Sequence, residues 1–154
     1  MHKTYSGIII LLLLIIIGGI YKFIFQGSVS PNPDGRSSVQ LNVNERDLIL
    51  TEMRAFLSSV QKITQGIAEN DMRVVSEYAL QVGKASQAKV PGTLIGKMPL
   101  TFKRLGFDTH SKFEQLAIDA NDLGDGSYTL KQLSDLMQNC VTCHESYRID
   151  IEKE

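Results

Sequence analysis

The sequence predicts an all-α chain, an antiparallel four-helix bundle preceded by an N-terminal transmembrane helix. Three observations lead there. Gly7 to Ile20 is unbroken by charge, and Ile8 to Ile17 is entirely Ile and Leu. Four later stretches repeat apolar residues at the three-and-four spacing of one helix face. Between them there is no alternating run of the strand type, and the breaks are short enough to make successive helices antiparallel neighbours.

The first element is the apolar run. About 20 residues at a rise of about 1.5 Å each reach roughly 30 Å, the thickness of bilayer hydrocarbon. Apolar character resumes after Lys22 with Phe23, Ile24 and Phe25, so residues 1–25 read as an anchor. A cleaved signal peptide is the rival reading. It wants small residues before the cut, and although Gly27 suits the last position, Phe25 two places earlier does not. Tyr21 and Lys22 are suited to the membrane interface. Lys3 and Lys22 flank opposite ends, so charge orients the helix only weakly. Residues 26–43, with Gly27, Ser28, Ser30, Pro31, Pro33, Gly35, Ser37 and Ser38, read as a flexible linker. About 15 such residues reach on the order of 20 Å as coil.

Residues 44–154 form the one domain the length allows. Asn44 is placed to cap a first helix, with Glu45 and Asp47 in its first turn. Its inward stripe is Leu50, Met53, Leu57, Val60, Ile63 or Thr64, and Ile67, widened by Phe56, and it ends near Glu69. Asn70 caps a second helix from Asp71 to about Ala88, burying Met72, Val75, Ala79 and Val82. Pro91, Gly92, Gly96 and Pro99 make Lys89 to Gly106 irregular, with at most a short turn through Phe102 and Leu105. Thr109 caps a third helix with the stripe Phe113, Leu116, Ala117, Ala120 and Leu123, stopped by Gly124-Asp125-Gly126. The fourth helix starts around Ser127 to Thr129 and runs to near Asp150.

That last helix carries the chemistry. The chain's only two cysteines stand three apart and are followed at once by one of three histidines, in Cys140-Val141-Thr142-Cys143-His144. A helix puts i, i+3 and i+4 on one face. Leu133, Leu136, Met137, Tyr147 and Ile151 continue that face, so the motif lies on an apolar stripe. The pattern is that of covalent haem attachment: two thiols add across the vinyl groups and the imidazole goes to the iron. The cofactor expected is one haem c. Three other readings exist: a buried or disulfide-bonded pair, a thioredoxin-like pair, which lacks the strand it would follow, and a zinc site with His110 as fourth ligand. Beyond the anchor 14 Lys and Arg face 17 Asp and Glu, which excludes the basic face of a nucleic-acid binder.

The run from Cys140 to Arg148, near the C-terminus of a four-helix pattern, resembles the class II c-type cytochromes, the cytochrome c′ family. Tyr147-Arg148 matches that family's aromatic-Arg pair after the histidine, Gly66 with Asp71 its break between the first two helices, and Arg46 with Leu50 the start of its first helix. The resemblance covers Asn44 to the C-terminus. The anchor departs from the family's soluble, exported form.

By this likeness Cys140 and Cys143 hold the haem, His144 is the proximal ligand, and Arg148 stands near the proximal face or a propionate, or else is an exposed helix-end cation. The first helix faces the other side of the iron. The family's position there falls on Leu50, which implies a five-coordinate iron; Met53, one turn later, offers a thioether as sixth ligand instead. His110 is a further candidate for that place.

The function implied is electron carriage by a monohaem cytochrome in the periplasm at the membrane surface. The alternative is a five-coordinate haem protein that binds small gases such as nitric oxide or carbon monoxide. Neither is an enzyme; a peroxidase would need a polar distal group, and only Leu50, Met53 and Leu57 are expected inward there. Such motifs are loaded outside the cytoplasmic membrane, which implies a single-pass bacterial inner-membrane protein with its C-terminal domain in the periplasm. Membrane or periplasmic redox proteins are the partners implied, together with homodimerisation through the first two helices.

Overall fold

The computed structural model describes residues 2–152, apart from the side chains of His2 to Thr4 and of Lys89. The chain is mostly helical and adds one small sheet. Helix α1 (His2–Ile20) continues into a π-helical segment, Tyr21–Gln26, and the stretch Tyr5–Gln26 is long and apolar enough to cross a membrane. None of its window is buried against protein.

The stretch expected as a flexible linker is folded instead. Strands β1 (Val29–Pro31) and β2 (Ser37–Leu41) make an antiparallel hairpin, and β2 pairs in parallel with β3 (Tyr147–Ile151). Gly35 turns the hairpin at φ +86°, a conformation L side chains rarely adopt, and donates to Asn32 O. Val39 and Leu41 are fully buried in β2, which explains the pairing: their apolar side chains need a cover that coil cannot supply. The all-α expectation is thus corrected to a helical bundle with a three-stranded sheet.

Helix α2 (Val43–Ala68) starts from Asn42, not Asn44. Asn42 accepts from Glu45 N at 2.9 Å while Glu45 Oε2 accepts from Asn42 N at 3.0 Å, a reciprocal capping box. Its buried line is Ile49, Phe56, Ser59, Ile63 and Gly66, one residue round from the expected stripe, so Leu57 is 70 % exposed. Helix α3 (Met72–Gln81) is capped by Asp71, and Asn70 takes the left-handed turn at φ +56°. It is shorter than expected, ending in a 3₁₀ segment, Lys84–Lys89.

After the short α4 (Gly92–Lys97), helix α5 runs unbroken from Leu100 to Leu123, capped by Pro99. Proline is well placed ahead of a helix because it has no N–H to leave unpaired. Thr109 is therefore no cap: it is buried in mid-helix and its hydroxyl donates to Leu105 O at 2.7 Å. Gly124, at φ +62°, ends α5, and Asp125 caps α6 (Gly126–Ser146). Helices α2, α3, α5 and α6 are the four-helix bundle, with α3 against α2 and α5, and α6 against α5 and α2.

Two apolar clusters hold the domain. Phe56, Ile63, Val75, Phe113, Leu116 and Leu136 centre the bundle. Val39, Leu41, Ile49, Leu94 and Met98 join the sheet to α2 and α4. Met53 packs against both.

Candidate functional site

Between the two clusters lies a cavity of about 620 Å³, within the roughly 300–1,000 Å³ usual for ligand and cofactor sites. Cys140, Cys143 and His144 of α6 line it, with Leu50 and Met53 of α2 on the same cavity. Five of the six expected site residues therefore meet in one place. Helical spacing brings the motif's three side chains together, while only the packing of α2 with α5 and α6 brings Leu50 and Met53 to them. Leu57, Phe107, Met137 and Val141 also line the cavity and are 43–70 % exposed, which makes its mouth apolar.

Arg148 is the exception. It follows the end of α6 and lies in β3, where Nη2 pairs with Asp150 Oδ1 at 2.9 Å and Nη1 with Asp34 Oδ2 at 3.3 Å. The helix stops at Ser146 because Ile149 and Tyr147 pack on the second cluster, with Tyr147 edge-on to Phe102 at 5.3 Å. Arg148 therefore fastens the sheet and does not line the cavity.

Both cysteines are free thiols, half-buried. Burial pushes the Cys140 thiol up, and burial with the neighbouring Cys140 pushes Cys143 up to about 11. No disulfide joins the two cysteines in this structure. The zinc reading fails on its fourth ligand, since both nitrogens of His110 are engaged: Nδ1 lies 2.7 Å from Val82 O and Nε2 lies 3.2 Å from Glu52 Oε1. The same engagement removes His110 as a second imidazole for an iron. Among the described residues no group of three or more His, Cys, Asp or Glu converges as a metal cage.

Glu52 is the polar cavity-wall residue that sequence reasoning missed, and it meets His110, already named as a candidate ligand. Burial works against a charged His110, but Glu52 and the Val82 carbonyl outweigh it and raise its pKa. The ring also packs tilted, at 56°, against Phe56 with centroids 5.0 Å apart, and Phe56 stacks on Phe113 at 5.4 Å. A cue existed in His110 standing three residues before Phe113 on one helix face; Glu52, between Thr51 and Met53, offered none. Asn139, buried beside Cys140, is satisfied by Asp108, Thr109 and Lys112.

The residues present fit a covalently attached haem: two free thiols and an imidazole on one wall of a largely apolar cavity of cofactor size, with a thioether on α2. No family model, no curated protein and no solved structure matches the chain.

Proposed function

We propose that the chain is a membrane-anchored c-type cytochrome of the cytochrome c′ kind, carrying electrons in the periplasm, with one haem c held by Cys140 and Cys143 and its iron taken by His144. The observation that carries this reading is the single cavity shared by the motif and by Leu50 and Met53. When bound, a haem supplies an iron that accepts and releases one electron.

The chain's part is to hold and shield. Phe56 and Ile49 exclude water from the inner end of the cavity, both being buried. Met53 packs against both clusters and lines the cavity, so contacts on two sides would hold its thioether there as a ligand in both redox states. Glu52 keeps the His110 ring turned to itself and to Val82, so the imidazole does not compete for the iron. The apolar mouth leaves one edge of the site open to a partner.

Leu50 supports the second reading, a five-coordinate haem protein for small gases, because it presents an apolar side chain to the same cavity. Visible spectra of the full-length protein, ferric and ferrous, with and without carbon monoxide, separate the two. Electron carriage predicts a low-spin spectrum with a sulfur-to-iron charge-transfer band that vanishes in Met53→Ala. A high-spin spectrum that responds to carbon monoxide and ignores Met53→Ala establishes the gas-binding reading. Protein whose colour is removed by acid-acetone extraction, or colour that survives that extraction in the Cys140→Ala, Cys143→Ala double variant, refutes covalent attachment through these cysteines and with it both readings.

A further inference from the structure

The chain leaving the apolar helix is clamped to the bundle. Lys103 Nζ donates to Phe23 O at 2.9 Å and to Ile24 O at 3.2 Å, two carbonyls in the last turn of the span. Such carbonyls lack partners within a helix, and the negative helix end favours an ammonium there. Ser28 N donates to Lys97 O at 2.6 Å. Gly27, at φ +66°, approaches so closely that a Cβ would collide with the backbone of Lys97, Met98 and Pro99. A Cβ on Gly96 would touch the Phe23 ring at 3.6 Å. Where a swinging tether was expected, α4 and the start of α5 begin at the level where the span ends.

The same two stretches share a charge character. Residues 1–33 and 78–107 hold seven Lys and Arg and no Asp or Glu, whereas the other 91 residues hold nine basic and all 17 acidic ones. Some of those cations are already committed: Lys97 pairs with Glu45 and Glu152, and Lys84 with Glu114. Lys22 and Arg104 are exposed and have no ion-pair or hydrogen-bond partner among the described residues, and Lys103 sits between them at the end of the span. Two uncommitted cations, with the third N–H of the Lys103 ammonium beside them, next to a membrane span are matched by anionic lipid headgroups.

We propose that residues 92–107, comprising α4 and the first two turns of α5, rest in the headgroup layer of an anionic bilayer, with Lys22, Lys103 and Arg104 on the headgroup phosphates. This rests on α1 being an uncleaved span. It makes the domain a fixed platform in one orientation. Because Phe102, Lys103, Leu105, Gly106 and Phe107 also line the cavity, its mouth then opens within a turn or two of the lipid surface, and whatever exchanges with it approaches along the membrane.

The test is photo-crosslinking of the full-length protein in nanodiscs that contain a trace of phospholipid with a photoreactive headgroup, with adducts mapped by mass spectrometry. One set is phosphatidylcholine with phosphatidylglycerol and the other phosphatidylcholine alone. Adducts are expected in residues 92–107 and not at the far turns, residues 69–71 and 124–125, which lie roughly 30 Å away along α5. Phosphatidylglycerol should raise the yield about fivefold or more, and high salt or Lys22→Glu with Arg104→Glu should reverse that gain. Lys103→Met should spread the adducts toward the far turns by releasing the clamp. Equal labelling of both ends in the unsubstituted protein overturns the fixed platform. Labelling confined to 92–107 but indifferent to phosphatidylglycerol overturns the headgroup assignment. Absence of adducts from residues 5–26 as well would refute the span itself, a separate failure.

Discussion

Gly66→Ala tests how α2 meets α3. Gly66 is buried in the last turns of α2, and its carbonyl accepts from Asp71 N at 2.8 Å, where Asp71 caps α3. A Cβ built there would lie 2.9 Å from Val75 Cγ2, 3.0 Å from Asp71 O and 3.2 Å from Val75 N. Carbon contacts relax to about 3.5–4.0 Å, so α3 must withdraw by several tenths of an ångström. Alanine gains about 1 kcal/mol over glycine in helix propensity. Overpacking costs about 1–3 kcal/mol, and the upper part of that range applies because two of the three obstacles are backbone. The net expectation is a loss of about 1–2 kcal/mol, lowering Tm by roughly 3–12 °C for a domain of this size. Urea and thermal unfolding followed by circular dichroism read it. In a double-mutant cycle, Gly66→Ala should cost less in a Val75→Ala background than in the parent but not become free, since Val75→Ala removes Cγ2 and leaves both backbone atoms. A Gly66→Ala protein as stable as the parent would refute this account of the junction.

Three further outcomes follow from the interior. Phe113→Ala, in a side chain with no exposure stacked between α2 and α5, should cost about 3–5 kcal/mol, measured by urea unfolding. The raised pKa of His110 means its pairing with Glu52 contributes fully below the ordinary imidazole pKa and is lost as pH rises through the folded value. Tm should therefore fall on going from pH 6 to pH 9, and Glu52→Gln should flatten that slope; an unchanged slope rules the pair out as its source. Asp108 and Asp34 have lowered pKa values, held chiefly by Asn139 and by Arg36 respectively, so their contributions are present above the ordinary carboxylate range and lost as pH falls through the folded values. Asp108→Asn should blunt the acid limb of the same Tm profile.

Much of the plan was legible in the chain because it rests on local rules. The apolar run, the helical stripes of Val75, Ala79, Phe113, Leu116 and Leu136, the stop at Gly124 and the common face of Cys140, Cys143 and His144 all depend on period and spacing. Leu50 follows from the resemblance and Met53 from its place one turn later on the same stripe, and the helix packing brings both to the motif's cavity. The errors fall where a distant segment overrides a local preference. No long helix crosses Pro91, as expected, but Gly92 and Gly96 lie inside the short α4, and Pro99 opens a helix that absorbs Gly106 and Thr109 because that helix has both α3 and α6 to pack on.

By itself the sequence determined which segments are apolar, how each helix is spaced and which side chains share a face, because these follow from backbone geometry a few residues at a time. Only the tertiary structure decided the rest: that Ser37–Leu41 pairs with Tyr147–Ile151 more than a hundred residues away, that Arg148 serves the sheet, that Glu52 meets His110 on the cavity wall, and that Lys103 donates to the carbonyls at the end of the apolar helix. Each of these is a contact between groups far apart in the chain. Such pairings form because burying Val39, Leu41 and Ile49 together removes apolar surface from water, and the direction in which that burial closes is not written in any one segment.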